Sequence, residues 1–181
     1  MNKEDIKPFD DGITHINVYS NGNTSLGKKL SNFYKAPFQH PKYGHFESVE
    51  GFYYWIKSGK QFDELKLLSG IQAKNEGKKH CSKEDNFSEQ DILDIQEAIR
   101  CKLRHNKDIL KEMISTDLPF VHYYCWYSKK DRNNYTIREV NDSINMISVL
   151  EDVRRKCKES DYHPENVSKK RKGKESGYHP T

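Results

Sequence analysis

Long apolar stretches are missing from this chain. No run approaches the ~20 apolar residues a membrane-spanning helix needs. Hydrophobic residues make up 34 % of the 181 positions, and mean hydropathy is −1.02. The opening MNKEDIKPFDDG has no apolar centre, so it does not read as a signal peptide. Cysteine is scarce as well. Cys81, Cys101, Cys125 and Cys157 form no CxxC pair and fit no small disulfide scaffold, which points to reduced thiols in a cytoplasmic protein. His80-Cys81 has no further ligands at the spacing zinc sites use, so no metal is expected. The body of the chain also lacks a strong charge. Nine Lys/Arg face four Asp/Glu from Arg154 onward, which puts +5 of the overall +4 in that segment and leaves −1 for residues 1–153. A body that binds nucleic acid through its own fold gets no support from that balance.

What the chain does have is aromatic residues. The 11 Tyr and 8 Phe can bury large areas while keeping polar edges wet, which argues against global disorder. The length fits one domain with an appendage: a loose start over residues 1–12, a globular unit over 13–157, and a basic tail over 158–181.

Local patterns give a coarse outline. Residues 13–19 alternate β-formers and predict a strand. Residues 20–29, SNGNTSLGKK, read as a turn-rich loop, and a second polar loop holds Pro41 and Gly44. Residues 48–57 read as a helix, with Val49, Phe52, Tyr53 and Ile56 on one face, Ser48 as N-cap and Gly59 as stop. Glu50, Tyr54 and Lys57 share another face, and Glu50 sits in the first turn, where the helix dipole favours a carboxylate. Residues 69–77 predict a short helix. A longer one starts near Ser88, with a capping box to Asp91, a staple between Phe87 and Ile92, and Ile92, Ile95, Ile99 and Leu103 facing inward. Residues 108–115 predict another helix. Residues 118–127, LPFVHYYCWY, predict a strand or a packed aromatic loop. A last helix over about 141–157 carries Met146, Val149, Leu150, Val153 and Cys157 on one face.

The tail holds an internal repeat. KESDYHP at 158–164 returns as KESGYHP at 174–180, with the basic run SKKRKGK leading into the second copy. Two short polar copies cannot build a solenoid. A disordered linker, or a contact to nucleic acid or protein through Lys158 to Thr181, is the expectation, alongside the plain reading of a solvated charged tail.

Tyr19, LSNFY at 30–34, Pro37-Phe38 and SVEGFYYWIK at 48–57, in that order, resemble the opening of the NADAR superfamily. That superfamily includes N-glycosidases of riboflavin-biosynthesis intermediates and hydrolases that remove ADP-ribose. Its opening is a Ser-Asn-Phe stretch, a short loop, then a Ser/Thr-x-Glu helix with a Lys seven positions after the Glu, an interval kept by Glu50 and Lys57. Ala73 with Gly77, then Ala98, Arg100 and Lys102, then Asn145 with Arg155, resemble later family segments, so the resemblance runs over about residues 13–156. The chain differs at Gly51, where a histidine often follows the Glu, at Phe87, where Trp is usual, at Tyr127, where Gly follows the Trp, and at Ser148, where Gly is usual.

The resemblance implies an α+β, mainly helical single domain with a few short strands. It implies an N-glycosidase that hydrolyses the ribose–base bond of an ADP-ribosyl or phosphoribosyl conjugate, with no cofactor. Such a cleavage develops positive charge on the sugar, so a carboxylate must stand beside the anomeric carbon and a flat aromatic surface must hold the base. Glu50 is the candidate catalytic residue, against the plain reading of an exposed helix-start Glu. Ser31, Asn32 and Phe33 border the site by resemblance, Asn32 as a partner for ribose or phosphate. Lys57 and Tyr54 share the Glu50 face. Lys57 reads either as a phosphate ligand that also biases Glu50 toward its charged form or as a surface ion pair. Phe87 reads as a stacking wall or a helix staple, Trp126 as a second wall or a core aromatic, and Asn145 as part of the final family helix. Asp117, Asp131 and Asp142 are the candidates for a second acid. The alternative is a protein of the same fold that binds or sequesters ADP-ribose-type nucleotides without turnover.

Overall fold

The computed structural model describes residues 6–160 apart from Lys83, Asp85 and Arg132. Of the first repeat copy only residues 158–160 are described; the rest of it, the basic run and the second copy lie outside the described residues. The fold is α+β, mainly helical, with a few short strands in two-stranded pairs.

Most of α2 (Val49–Lys57) lies in the core. Ser48 caps it as expected, its hydroxyl accepting from the Gly51 N–H at 3.0 Å, and Gly59 follows at φ +75. The sequence pattern put one apolar face on this helix, at Val49, Phe52, Tyr53 and Ile56. In the fold only Tyr53 and Lys57 of its nine residues are even half-exposed. Three elements enclose it: α3 (Gly70–His80), α4 (Glu89–His105) and a 3-10 turn at Asp63–Leu67. A helix covered on every side must be apolar nearly all round, and VEGFYYWIK is.

Two glycines permit that enclosure. A Cβ on Gly51 would lie 2.4 Å from the Leu65 carbonyl oxygen and 2.9 Å from that of Leu68. That backbone stands where a larger residue after Glu50 would have to go, which gives Gly51 its physical reason. A Cβ on Gly77 would fall 2.1 Å from Tyr54 Cγ, so α3 lies directly on the Tyr54 ring.

The polar loop expected around Pro41 and Gly44 is a hairpin, β2 (Phe38–His40) with β3 (Gly44–Phe46), turning at Gly44 with φ +83. It brings Phe38 and Phe46 onto Phe52, with the Phe46 and Phe52 rings 4.7 Å apart. The turn-rich loop expected over residues 20–29 contains α1 (Ser25–Leu30), capped by Thr24. Gly27 sits inside it because a Cβ there would meet the Asn17 carbonyl oxygen at 2.2 Å.

Around this core, α4 keeps the Ser88–Asp91 capping box and leads into α5 (Lys107–Ile114). β1 (Ile16–Asn17) pairs in parallel with β4 (Phe120–Val121). The aromatic run continues as β5 (Tyr123–Tyr127), which pairs antiparallel with a strand that sequence patterns did not single out, β6 (Tyr135–Glu139). α6 (Met146–Glu159) starts later than predicted, after Asn145 in the left-handed region at φ 51, and extends past the expected domain end. From Ile6 on, the segment expected to be loose is packed: Ile6, Pro8 and Asp11 are buried, and the Asp11 carboxylate accepts from the Asn17 and Asn23 N–H groups. No described helix is long and apolar enough to cross a membrane.

Gly77→Ala separates propensity from packing. In an exposed helix the change stabilises by about 1 kcal/mol. Against Tyr54 it should instead destabilise by about 1–3 kcal/mol, read as a lower denaturant midpoint. An unchanged or raised midpoint would refute the close α2–α3 approach.

Candidate active site

The site is built on residues 31–33, the link from α1 toward the hairpin. Helix α1 ends at Ser31, whose hydroxyl donates to the Lys28 carbonyl at 2.8 Å. The next two carbonyls are both held. Lys102 Nζ, on α4, donates to the Ser31 carbonyl at 2.7 Å, and the Glu50 backbone N–H, at the start of α2, donates to that of Asn32 at 2.9 Å. Lys102 is 1 % exposed, and burial pushes its pKa down to about 7. Two helices thus fix the loop that the resemblance placed beside the site.

This loop, Glu50 and the exit of β5–β6 enclose a cleft of about 880 Å³. Glu50 is 9 % exposed. Burial pushes its carboxyl pKa up to about 7, against the opposing pull of Lys74 and then Lys78 on α3. The plain reading of an exposed helix-start Glu therefore does not describe this residue.

The walls are aromatic and the rim carries cations. Tyr19 and Tyr124 meet edge to face at 5.0 Å. Burial, then Tyr19 and then the Glu50 charge, raise the pKa of the Tyr124 phenol, so Tyr124 lies within the field of the carboxylate. The Arg138 guanidinium sits 5.9 Å from the Tyr124 ring centre, and Lys74 Nζ 5.4 Å from that of Phe33. Tyr124 and Arg138 are register partners in the β5–β6 pair, which places both at the same level of the cleft.

Of the residues singled out from sequence, Ser31, Asn32, Phe33, Glu50 and Tyr54 come together as cleft lining. The others lie elsewhere. Lys57 is seven residues beyond Glu50, about 10 Å along a helix axis, with Nζ 5.9 Å from the Tyr53 ring centre. The cations acting on Glu50 are Lys74 and Lys78 instead. Phe87 packs edge-on against Tyr53 at 5.2 Å, one layer behind the lining. Trp126 shares the Tyr124 face of β5 but lies beyond the cleft, 53 % exposed. Asn145 lines a second cavity of about 420 Å³ that shares the 139–142 segment and Met146 with the first.

Among the second-acid candidates, Asp142 lines the cleft beside His122, whose pKa is lowered by burial and raised in part by Asp142. Asp117 pairs with Lys158 on α6, and Asp131 caps the Asn133 N–H in the β5–β6 turn. Lining residues not chosen for the site from the sequence include Tyr19, Tyr53, Lys74, Tyr124 and Arg138. Tyr19 was visible as a motif position. Tyr124 and Arg138 needed the β5–β6 register. The described side chains that gather as potential metal ligands are Glu64, Glu76 and His80, with ligand atoms within 4.8 Å. None of them lines the cleft, and His80 is engaged by Glu76 at 3.2 Å and stacked on Phe62 at 3.8 Å.

No family model matches the chain, and no curated protein sequence matches it. Among solved structures, it is similar to the NMR structure of the Escherichia coli protein YbiA, with a TM-score of 0.53 and 15 % identity over 87 % of this chain and 98 % of that one. The two proteins share a fold. At this identity the likeness establishes the architecture and leaves chemistry to the side chains.

The Glu50 environment has a thermodynamic signature. Its folded pKa of about 7 lies above the ordinary 4.5. Between those values the folded state holds more protons than the unfolded one. The group's stabilising contribution is therefore complete below 4.5 and lost as pH rises through about 7. Glu50→Gln removes the cost of the buried charge. It should be more stable than the parent at pH 8 by about 1–3 kcal/mol, with the gap closing toward pH 4.5. An equal gap at both pH values would contradict a buried, titrating carboxylate.

Proposed function

We propose that this protein is an N-glycosidase that hydrolyses the bond between ribose and a base nitrogen in an ADP-ribosyl or phosphoribosyl conjugate. The carrying observation is a buried carboxylate, Glu50, in a cleft with aromatic walls and cations at its rim. As the C–N bond lengthens, its electron pair leaves with the nitrogen and positive charge builds on the sugar. The ionised Glu50 stabilises that charge and accepts a proton from the attacking water, whose oxygen bonds to the anomeric carbon. The leaving nitrogen takes up a proton in turn, which balances the one that Glu50 accepts, and His122 and Asp142 line the same cleft as candidates to relay it. The Tyr19–Tyr124 pair supplies a stacking surface for the base. Lys74 and Arg138 suit the phosphate groups of such conjugates.

The carboxylate must be charged to act, so turnover should rise as pH increases through about 7. The direct test is mass-spectrometric product detection with ADP-ribosylated nucleobases, ADP-ribosylated peptides, NAD and riboflavin-pathway intermediates. The parent should release free base and a ribosyl product from one of these, and Glu50→Gln should do so at least about 100-fold more slowly. Tight binding of one ligand by both proteins without turnover would replace the glycosidase reading with a sequestering one.

A further inference from the structure

Sequence spacing left His80 without zinc ligands, yet the fold brings two carboxylates to it. Helix α3 places Glu76 one turn before His80, and the Asp63–Leu67 turn lays Glu64 alongside. His80 Nε2 stands 3.2 Å from Glu76 Oε1 and 4.0 Å from Glu64 Oε1, and the three ligand atoms all lie within 4.8 Å of one another. A tetrahedral zinc ion with bonds of about 2.0–2.2 Å holds its ligand atoms about 3.3–3.6 Å apart. The His80–Glu76 separation is already close to that. Glu64 is exposed and closes the rest without leaving packed surroundings.

The donors are also held in place. The His80 ring stacks on Phe62, with centroids 3.8 Å apart and planes 19° from parallel. Lys79 Nζ takes Oε2 of Glu76 at 2.5 Å, which fixes that carboxylate from behind and leaves Oε1 for an ion. Two carboxylates against one lysine leave negative charge around the imidazole, which a dication offsets. One imidazole nitrogen with two carboxylate oxygens is a set that zinc accepts, whereas magnesium and calcium favour oxygen alone. We propose that Glu64, Glu76 and His80 form a binding site for a divalent transition metal of the zinc class, with water in the fourth position. Bound there, the ion ties the Asp63–Leu67 turn to α3, the helix that carries Lys74 to the cleft. None of the three ligands lines the cleft, so the site stands whether or not Glu50 cleaves a glycosidic bond.

Calorimetric titration of the EDTA-treated full chain with zinc chloride tests this, paired with thermal melting with and without zinc. The parent should bind one zinc ion at this site and melt at a higher temperature when zinc is present, because the ion binds the folded arrangement. Glu64→Gln keeps the size of an exposed side chain, so it should leave the zinc-free midpoint unchanged and weaken zinc at least about 10-fold. His80→Gln should weaken zinc at least as much. Zinc that binds the parent and both variants equally would overturn the site and put the ion elsewhere, such as on the tail residues His163 and His179. No zinc binding by the folded parent would overturn it too. So would a midpoint that zinc leaves unchanged while His80→Gln lowers it, which would make the three side chains an ion-paired cluster only.

Discussion

The cleft depends on how two successive carbonyls, those of Ser31 and Asn32, are held. One accepts from a lysine that is almost wholly buried, the other from the first turn of α2. Burying an amine is costly, and here it is tolerated because Lys102 loses much of its tendency to carry charge. In return a short irregular segment becomes as fixed as the helices beside it. The cleft wall formed by residues 31–33 is thereby tied to both α2 and α4.

The same helix explains the state of Glu50. α2 is enclosed by α3, α4 and the Asp63–Leu67 turn, so its first-turn glutamate cannot reach solvent freely. The N-terminal dipole favours its ionised form, and Lys74 and Lys78 do the same from α3. Desolvation outweighs the pull of the lysines and raises the carboxyl pKa to about 7, so that its protonated and ionised forms are both populated near neutral pH. A group in that condition responds strongly to charge that appears next to it, which is the requirement for stabilising a developing sugar cation. The enclosure itself needs Gly51 and Gly77, where neighbouring backbone and ring come too close for any side chain.

Much of the fold was legible in local pattern. The cap and stop of α2, the capping box of α4 and the apolar stripe of α6 all rest on contacts within a few residues. The hairpin around Gly44, helix α1 with its internal glycine, and strand β6 were not legible. Each is stabilised by a partner distant in sequence: Phe52 under the hairpin, the Asn17 carbonyl against Gly27, and β5 beside β6. Motif order likewise pointed to residues 31–33, Glu50 and Tyr54, because short segments with specific side chains keep their spacing.

By itself, the sequence determined that α2 would be a capped helix with a carboxylate in its first turn, and that a Ser-Asn-Phe stretch would precede it. Both follow from backbone propensity and residue order. Tertiary structure alone decided that Glu50 is buried, that Lys74 rather than Lys57 shares its cleft, and that Tyr124 and Arg138 form the facing wall while Phe87 and Trp126 stand outside it. Burial and proximity depend on how whole elements pack: a helix face that looks solvated in one dimension is covered when three elements close over it. A strand's aromatic residues line or leave a cleft according to the register of a partner strand, as Tyr124 does opposite Arg138.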